Sequence, residues 1–151
     1  MSGWYGHVVS VNIQNNIKFP KYTGKLSLIN PFITEEVNRL DKKVKFLGSE
    51  ISYNVALQSQ IAQRNAITEL EAVDTGRLRH SVKITGSGLT SYIGTDLYYA
   101  QTVHDEGFRG NGGINVKWPN GVGPRPWTVV STEVVVRSID SIVESSLNKI
   151  F

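Results

Sequence analysis

Residues 73–81 read Val-Asp-Thr-Gly-Arg-Leu-Arg-His-Ser, and they lie where a long helical pattern ends and a run of short extended segments begins. Asp74 and Thr75 carry oxygens that can accept hydrogen bonds from the backbone N–H groups just ahead of them. Gly76 has no Cβ, so it can adopt a left-handed or tight conformation. The stretch therefore predicts a capped turn, with Asp74, Thr75 and Gly76 as the structural pivot of the fold.

The tripeptide Asp-Thr-Gly also occurs where aspartic proteases present a catalytic carboxylate. In that chemistry two Asp carboxylates share one proton, and apolar strands hold each of them. Here Arg77 and Arg79 come shortly after Asp74, and two cations favour a fully ionised carboxylate over a shared proton. A second Asp would have to come from a homodimer. A protease acting through Asp74 is therefore only a remote alternative, and we expect no enzymatic activity.

Length and composition indicate one domain. The chain has 151 residues and no cysteine, so it can bury a single core but cannot form a disulfide or a thiolate metal site. His7, His80 and His104 are too scattered to predict a zinc cluster, and we expect no cofactor. No run approaches the roughly 20 apolar residues that span a bilayer, so no membrane partner is expected. The net charge of +3 is too small to predict nucleic-acid binding as the main task.

The strongest periodic signal runs from Pro31 to about Glu71. Asn30 is a good helix cap, and Pro31 gives up a donor that would have no partner in the first turn. We expect Gly48-Ser49 to bend or break this helix. The apolar residues form a heptad-like seam that packs either on the domain's own sheet or on a partner helix in an oligomer. The seam consists of Ile33, Val37, Leu40, Val44, Leu47, Ile51, Val55, Ala62 and Ala66.

Residues 1–30 lack the helical pattern. Residues 9–13 alternate apolar and polar side chains and form a possible strand. Asn, Pro and Gly then interrupt the rest of the segment, which has no periodicity. We therefore predict an extended N-terminal arm over residues 1–30, which orders against a neighbour, followed by one α+β domain over residues 31–151.

A hairpin and a short helix are predicted after the pivot. The alternating runs 81–85 and 91–95 flank Gly-Ser-Gly, which predicts two paired strands. Residues 98–107 have helical spacing and end in a glycine. His104 and Asp105 lie within the only tight set of ionisable side chains. Because adjacent positions on a helix point in different directions, a metal or acid–base site is disfavoured there.

Residues 107–126 form a Gly-, Pro- and Asn-rich loop that also contains apolar side chains. Such long loops in compact domains are often functional. We therefore expect Phe108, Arg109, Ile114 and Trp118 to contact a neighbouring subunit or partner. The alternative is that Trp118 folds back on its own core.

A last helix is predicted to begin at Arg125-Pro126-Trp127. Apolar residues recur along it at helical spacing, so it should be a core helix. Its predicted core face consists of Trp127, Val130, Val134, Ile139, Ile142, Val143, Leu147 and Ile150.

Four blocks occur in a fixed order within residues 32–151: Asp74-Thr75-Gly76, Tyr99-Ala100, Glu106-Gly107 and Arg125-Pro126. In this order they resemble the tail-completion, or head–tail joining, proteins of long-tailed bacteriophages. The chain departs from the family pattern in three places. The family more often has Glu, an aromatic residue, Gly and Thr near residues 104–108, it has Phe at the position of the last helix's tryptophan, and its pattern has no counterpart to residues 1–30.

The resemblance implies an α+β fold in which a long N-terminal helix and a C-terminal helix pack on a small antiparallel sheet. It implies self-assembly in the host cytoplasm into a ring, expected to be a hexamer, at the head–tail junction of the virion. The partners would be the tail tube or terminator protein and the head connector or stopper protein. DNA would pass through an axial channel without specific binding.

Two questions stay open at this stage. A tail terminator or connector stopper ring of the same neck is the alternative to tail completion. Arg77 and Arg79 either fasten the pivot to Asp105 or Glu106 within the subunit, or they reach a neighbouring subunit.

Overall fold

The computed structural model describes residues 4–14, 21, 23–70, 76–105 and 124–151. They form the α+β fold that the sequence predicts, with helices packed on an antiparallel sheet. None of the helices in this part of the chain is long and apolar enough to cross a membrane. The elements in chain order are β1 (Tyr5–Ser10), a 3-10 helix (Gly24–Ile29), α1 (Asn30–Glu69), α2 (Arg77–Ser81), β2 (Lys83–Ser87), β3 (Thr90–Thr95), α3 (Ala100–Asp105) and α4 (Trp127–Ile150).

The sheet has three antiparallel strands in the order β1-β3-β2. Strands β2 and β3 are the predicted hairpin, in which Lys83 lies opposite Gly94. Gly86 and Gly88 have φ angles of +93° and +66°, a region that glycine enters without the steric cost of a Cβ. The backbone geometry of the hairpin therefore favours glycine at both positions.

Strand β1 is far from β3 in sequence but pairs with it along its whole length, beginning with Tyr5 opposite Thr95. The prediction of an extended arm over residues 1–30 is therefore wrong for this segment, which belongs to the sheet of the domain. The reason is burial, because Val9 packs against both clusters of buried apolar side chains. The short alternating run was a real strand signal, but the strand begins and ends earlier than predicted.

Helix α1 runs without interruption for 40 residues. Asn30 is its first residue and not its cap, because the 3-10 helix leads directly into it and Ile29 takes the cap position. Pro31 lies in the first turn, as predicted. The helix start was therefore located within one residue, although its capping was wrong.

Gly48 does not break α1, which is helical on both sides of it, so the predicted break is wrong. The glycine is buried, and it makes room for two side chains from other parts of the chain. An ideal Cβ at this position would lie 2.6 Å from Ile13 Cδ1 and 2.6 Å from Leu89 Cδ2. Gly48 therefore lets the segment after β1 and the hairpin turn pack closely on the helix.

Helix α1 consists of two parts that differ in packing. All of its buried residues lie between positions 48 and 67. Helix α4 runs antiparallel along this part and ends near Glu50, whose Oε2 lies 3.4 Å from Lys149 Nζ. The predicted seam is thus a core face only in its second half. We call residues 30–47, none of which is buried, the α1 tip.

Helix α4 begins at Trp127, as predicted, but the face it presents to the core differs from the predicted one. Val134 and Leu147 were assigned to the core and are 50% and 41% exposed. Small polar side chains take part of the interface instead, because they let α4 approach α1 closely. The buried residues of α4 are Trp127, Ser131, Val135 and Ser146.

The main core lies between the sheet, α1 and the first turn of α4. Ile67, Ile93 and Trp127 are fully buried there. Leu78 of α2 and Val103 of α3 close its ends. The core therefore includes at least one side chain from each of five elements, which fixes the pivot region, the sheet and the two long helices relative to one another.

Candidate interaction surfaces

The pivot has the backbone geometry that its glycine predicts. Gly76 has φ +77° and precedes the five-residue helix α2, and a left-handed residue there favours glycine because it has no Cβ. Leu78 of α2 is buried, whereas Arg77 and Arg79 on either side of it are exposed. Asp74 and Thr75 lie outside the described residues, so their capping role stays a prediction.

The two arginines do not fasten the pivot to Asp105. The carboxylate of Asp105 accepts hydrogen bonds from the Tyr5 hydroxyl and from His104. Within the residues that the structure describes, neither Arg77 nor Arg79 forms an ion pair or a hydrogen bond. Glu106 lies outside those residues. Arg77 and Arg79 are both exposed, so they are available to a neighbouring subunit, which was the other predicted role.

His104 is the centre of a polar network that joins three elements. Its Nδ1 lies 2.7 Å from Asp105 Oδ1, and its Nε2 lies 2.6 Å from Thr128 Oγ1 on α4. Tyr5 of β1 donates to the other oxygen of the same carboxylate. The prediction that His104 and Asp105 point apart is wrong, because neighbouring side chains at a helix end can still meet. Sequence spacing gave no signal for Tyr5 or Thr128.

His7 holds the same turn of α4 from the other side. Its Nδ1 lies 2.6 Å from Ser59 Oγ of α1, and its Nε2 lies 2.8 Å from the carbonyl oxygen of Thr128. Ser131 and Thr132 also lie within hydrogen-bond distance of this ring nitrogen. The two histidines thus attach the start of α4 to β1, α1 and α3.

The order of carboxylate, imidazole and hydroxyl in Asp105, His104 and Thr128 is that of a hydrolase triad. The surroundings favour a structural role, because the side chain of His104 is only 9% exposed. Tyr5 and Trp127 cover the ring at centroid distances of 4.7 and 4.8 Å. Among the described residues, no group of three His, Cys, Asp or Glu side chains could hold a metal ion.

The pair Tyr5 and Asp105 makes stability depend on pH at both ends of the range. The hydrogen bond from Tyr5, and then that from His104, lowers the pKa of Asp105. The hydrogen bond to Asp105, followed by burial and by the carboxylate charge, raises the pKa of Tyr5. Stabilisation by Asp105 is therefore present above its unfolded pKa and lost as the pH falls through the folded value. Stabilisation by Tyr5 is present below its unfolded pKa and lost as the pH rises through the folded value.

We expect Tyr5→Phe to cost about 1 kcal/mol between about pH 5 and pH 9, since the carboxylate is partly exposed and solvent weakens the bond. The variant should also lose the alkaline decline in stability that Tyr5 causes. Denaturant unfolding across pH measures both effects. Tyr98→Phe is the matched control, because Tyr98 is 82% exposed. Equal pH profiles for the wild type and Tyr5→Phe would contradict the assignment.

The outer sheet face, defined as Trp4, Val8, Thr85 and Tyr92, is the most aromatic exposed surface of the sheet. Val8 and Thr85 flank Tyr92 across the strands, and the rings of Trp4 and Tyr92 meet edge to face at 6.1 Å. Trp4, Val8 and Tyr92 are 39%, 57% and 45% exposed. The alternate residues of β3 face α1 and are buried, so the described helices cover only one face of the sheet.

Both outer strands of the sheet have an open edge among the described residues, since β1 and β2 each pair only with β3. A groove of about 450 Å³ borders the β1 edge. Val9, Val55, Val135 and Ile139 are among its lining residues, which come from β1, α1 and α4. An unpaired edge beside an apolar groove can accept another strand by backbone hydrogen bonding.

The predicted loop contacts Phe108, Arg109, Ile114 and Trp118 lie outside the described residues, so their role stays a prediction. Arg125 and Pro126, which follow them, are described. Arg125 is buried, and its backbone N–H donates to the Val103 carbonyl at 2.9 Å. The start of α4 is therefore held in the core beside α3.

Comparison with known proteins gave no match to a family model, a curated protein or a solved structure.

Proposed function

We propose that the chain is a structural subunit of a bacteriophage neck. It completes the upper end of the tail and joins it to the head connector, as part of a homo-oligomeric ring around an axial DNA channel. The observation that carries this proposal is the outer sheet face, an exposed apolar and aromatic surface flanked by two open strand edges. The order of the four sequence blocks within residues 32–151 supports the same function.

The open edges of β1 and β2 suit ring assembly, because a ring forms when one surface of a subunit binds a different surface of the next. Pairing of the β1 edge of one subunit with the β2 edge of the next is a heterologous contact, which closes into a ring when the rotation between subunits allows. The groove beside β1 leaves room for the incoming strand, and small contacts repeated around a ring sum to a stable assembly. We expect a hexamer.

The ring would contact the tail tube or terminator protein on one side and the head connector or stopper protein on the other. The exposed Arg77 and Arg79 are available for one of these contacts or for the next subunit. With a net charge of +3, the subunit has only a mild attraction for the DNA that passes through the channel. In this proposal the protein acts in the virion neck and has no catalytic role. Tail termination, connector stopping and, remotely, proteolysis through Asp74 are the competing functions.

Val8→Lys tests the proposal by placing a charge in the middle of the outer sheet face. The variant should still fold, because lysine is tolerated on edge strands. A phage whose own copy of the gene is disrupted, complemented with Val8→Lys, should yield few joined particles. Joined, infectious particles at the wild-type level would contradict the proposal.

Val134→Lys is the matched control, because Val134 is 50% exposed on α4 and Val8 is 57% exposed on the sheet. We expect this variant to support normal joining of heads and tails. Circular dichroism of both purified proteins should show the same helix content. A loss of joining with Val134→Lys as well would mean that the defect does not arise from the outer sheet face.

A further inference from the structure

The α1 tip extends beyond the body of the domain. Its 18 residues, 30–47, include none that is buried, and at 1.5 Å per residue they span about 27 Å. Helix α4 ends beside Glu50, so it does not reach along the tip. Leu40 is 37% exposed in the middle of the tip, and Ile33, Val37, Val44 and Leu47 are half-buried. A long helical segment with apolar side chains is thus left without a described partner.

The apolar side chains of the tip form a stripe with the spacing of a coiled coil. Ile33, Leu40 and Leu47 take one core position of the heptad, and Val37 and Val44 take the other. A narrow stripe that occupies only these two heptad positions is the seam along which one helix packs on another. The stripe therefore fits one partner helix of the same kind better than a flat protein surface.

The charges beside the stripe decide how a second copy would lie. Glu36 and Lys43 flank it on one side, and Asp41 flanks it on the other. In a parallel pair, Glu36 would face Asp41 of the second copy, and like charges repel. In an antiparallel pair, Glu36 faces Lys43 of the second copy, and the two-fold axis makes the same attractive contact twice.

The same charges select one antiparallel register. Packing Val37 against Leu40 of the second copy brings Glu36 beside Lys43. A register shifted by one heptad would instead place Lys43 against Lys43 of the second copy. Lys43 forms no ion pair with any other described residue, so its charge is available to a partner.

We propose that the free subunit forms a two-fold antiparallel dimer through the α1 tip, with Ile33, Val37, Leu40 and Val44 of each copy in the interface. One face of α1 between residues 48 and 67 is buried in the domain and holds the tip helical. Association therefore does not have to supply the cost of forming the helix. This inference does not rest on the neck function, because an isologous contact closes on two copies and cannot build a ring.

Charge exchange tests the dimer in the full-length chain. Glu36→Lys and Lys43→Glu should each raise the dimer dissociation constant about tenfold, because each turns two attractive contacts into repulsive ones. The double variant Glu36→Lys/Lys43→Glu should restore a constant within about threefold of the wild type. Sedimentation velocity over a wide range of protein concentration measures these constants, at low salt to limit screening.

Glu35→Lys and Lys42→Glu are the matched controls, since these residues lie on the opposite side of α1 from the stripe. Glu35, like Glu36, pairs with Arg39 within the helix, at 3.4 Å and 3.1 Å respectively. We expect both control variants to dimerise as the wild type does. Circular dichroism should show the helix content of the wild type for all five variants, which are the two single charge exchanges, the double variant and the two controls. Equal weakening by Glu35→Lys and Glu36→Lys would overturn the proposal.

Two other results would also overturn it: a wild-type protein that is monomeric at every concentration, or tighter association of Glu36→Lys, which a parallel pair requires. If the wild type forms rings, the same series is measured with Val8→Lys in each protein, so that the sheet contact is removed. Head–tail joining in the complemented phage reports separately on the neck function. A failed charge exchange with normal joining would therefore refute the dimer alone.

Discussion

Trp127→Ala should lower the free energy of unfolding by about 3–5 kcal/mol, the range for removing a fully buried aromatic side chain. Trp127 is 0% exposed and is the first residue of α4. Its ring packs edge-on against His104 at 4.8 Å and lies 6.4 Å from Tyr5. Truncation would leave a cavity where β1, α3 and α4 meet, and the polar network beside it would lose its apolar cover.

Trp127→Phe is the control for this prediction. The indole Nε1 is buried without a hydrogen-bond partner among the described residues, so phenylalanine removes an unsatisfied donor as well as part of the ring. We expect a loss of about 1–2 kcal/mol, well below that of alanine. Denaturant unfolding of the three proteins measures the difference. Equal losses for the two variants would show that ring packing does not hold this junction together.

Gly94→Ala should cost about 3 kcal/mol and detach β1 from the sheet. A Cβ on Gly94 would lie 2.2 Å from the carbonyl oxygen of Tyr5 and 2.8 Å from Gly6 Cα. Both contacts are backbone atoms, so neither can move aside without separating β1 from β3. Hydrogen exchange should therefore show lost protection of the β1 amides together with the fall in stability.

Gly88→Ala is the matched control for this variant. Gly88 has φ +66° and no atom within 4 Å of an ideal Cβ, so alanine there meets only backbone strain of about 1 kcal/mol. The amides of β1 should stay protected in this protein. If Gly94→Ala costs no more than Gly88→Ala, the close approach of β1 and β3 is not a constraint on the fold.

Local patterns in the sequence predicted the elements whose signals are local. Helical periodicity located α1 and α4, and the glycines of the β2–β3 turn located the hairpin. Strand β1 was misplaced because its partner, β3, is distant in sequence. Tyr5, for example, pairs with Thr95. The sequence of a six-residue segment does not show by itself whether the segment joins a sheet or extends as an arm. Long-range pairing has to be seen in three dimensions.

The errors at Gly48 and on α4 share one physical cause, which is that shape decides close packing more than hydropathy does. Gly48 was predicted to break α1, but it admits Ile13 and Leu89. Buried serines on α4 could not be recognised as interface residues, because hydropathy treats serine as polar. His104 and Asp105 were correctly singled out as a tight ionisable set. Their partners on β1 and α4 come from distant parts of the chain and left no spacing signal.

Of the predicted contact residues, only the exposed arginines at positions 77 and 79 lie in the described part of the chain. The outer sheet face was not predicted, since Trp4 and Val8 were assigned to the arm. Alternation along β3 could have indicated it, because Tyr92 occupies the solvent-facing register between buried neighbours. The α1 tip was predicted in part, as a seam able to pack on a partner helix.

The most direct test of the proposed neck function is an electron micrograph of the particles that accumulate when the gene is disrupted and not complemented. The proposal predicts DNA-filled capsids beside finished tails of normal length, with the two left unattached. Tails of uncontrolled length would indicate a terminator instead. Joined, infectious particles in normal number would contradict any role of the protein in attaching heads to tails.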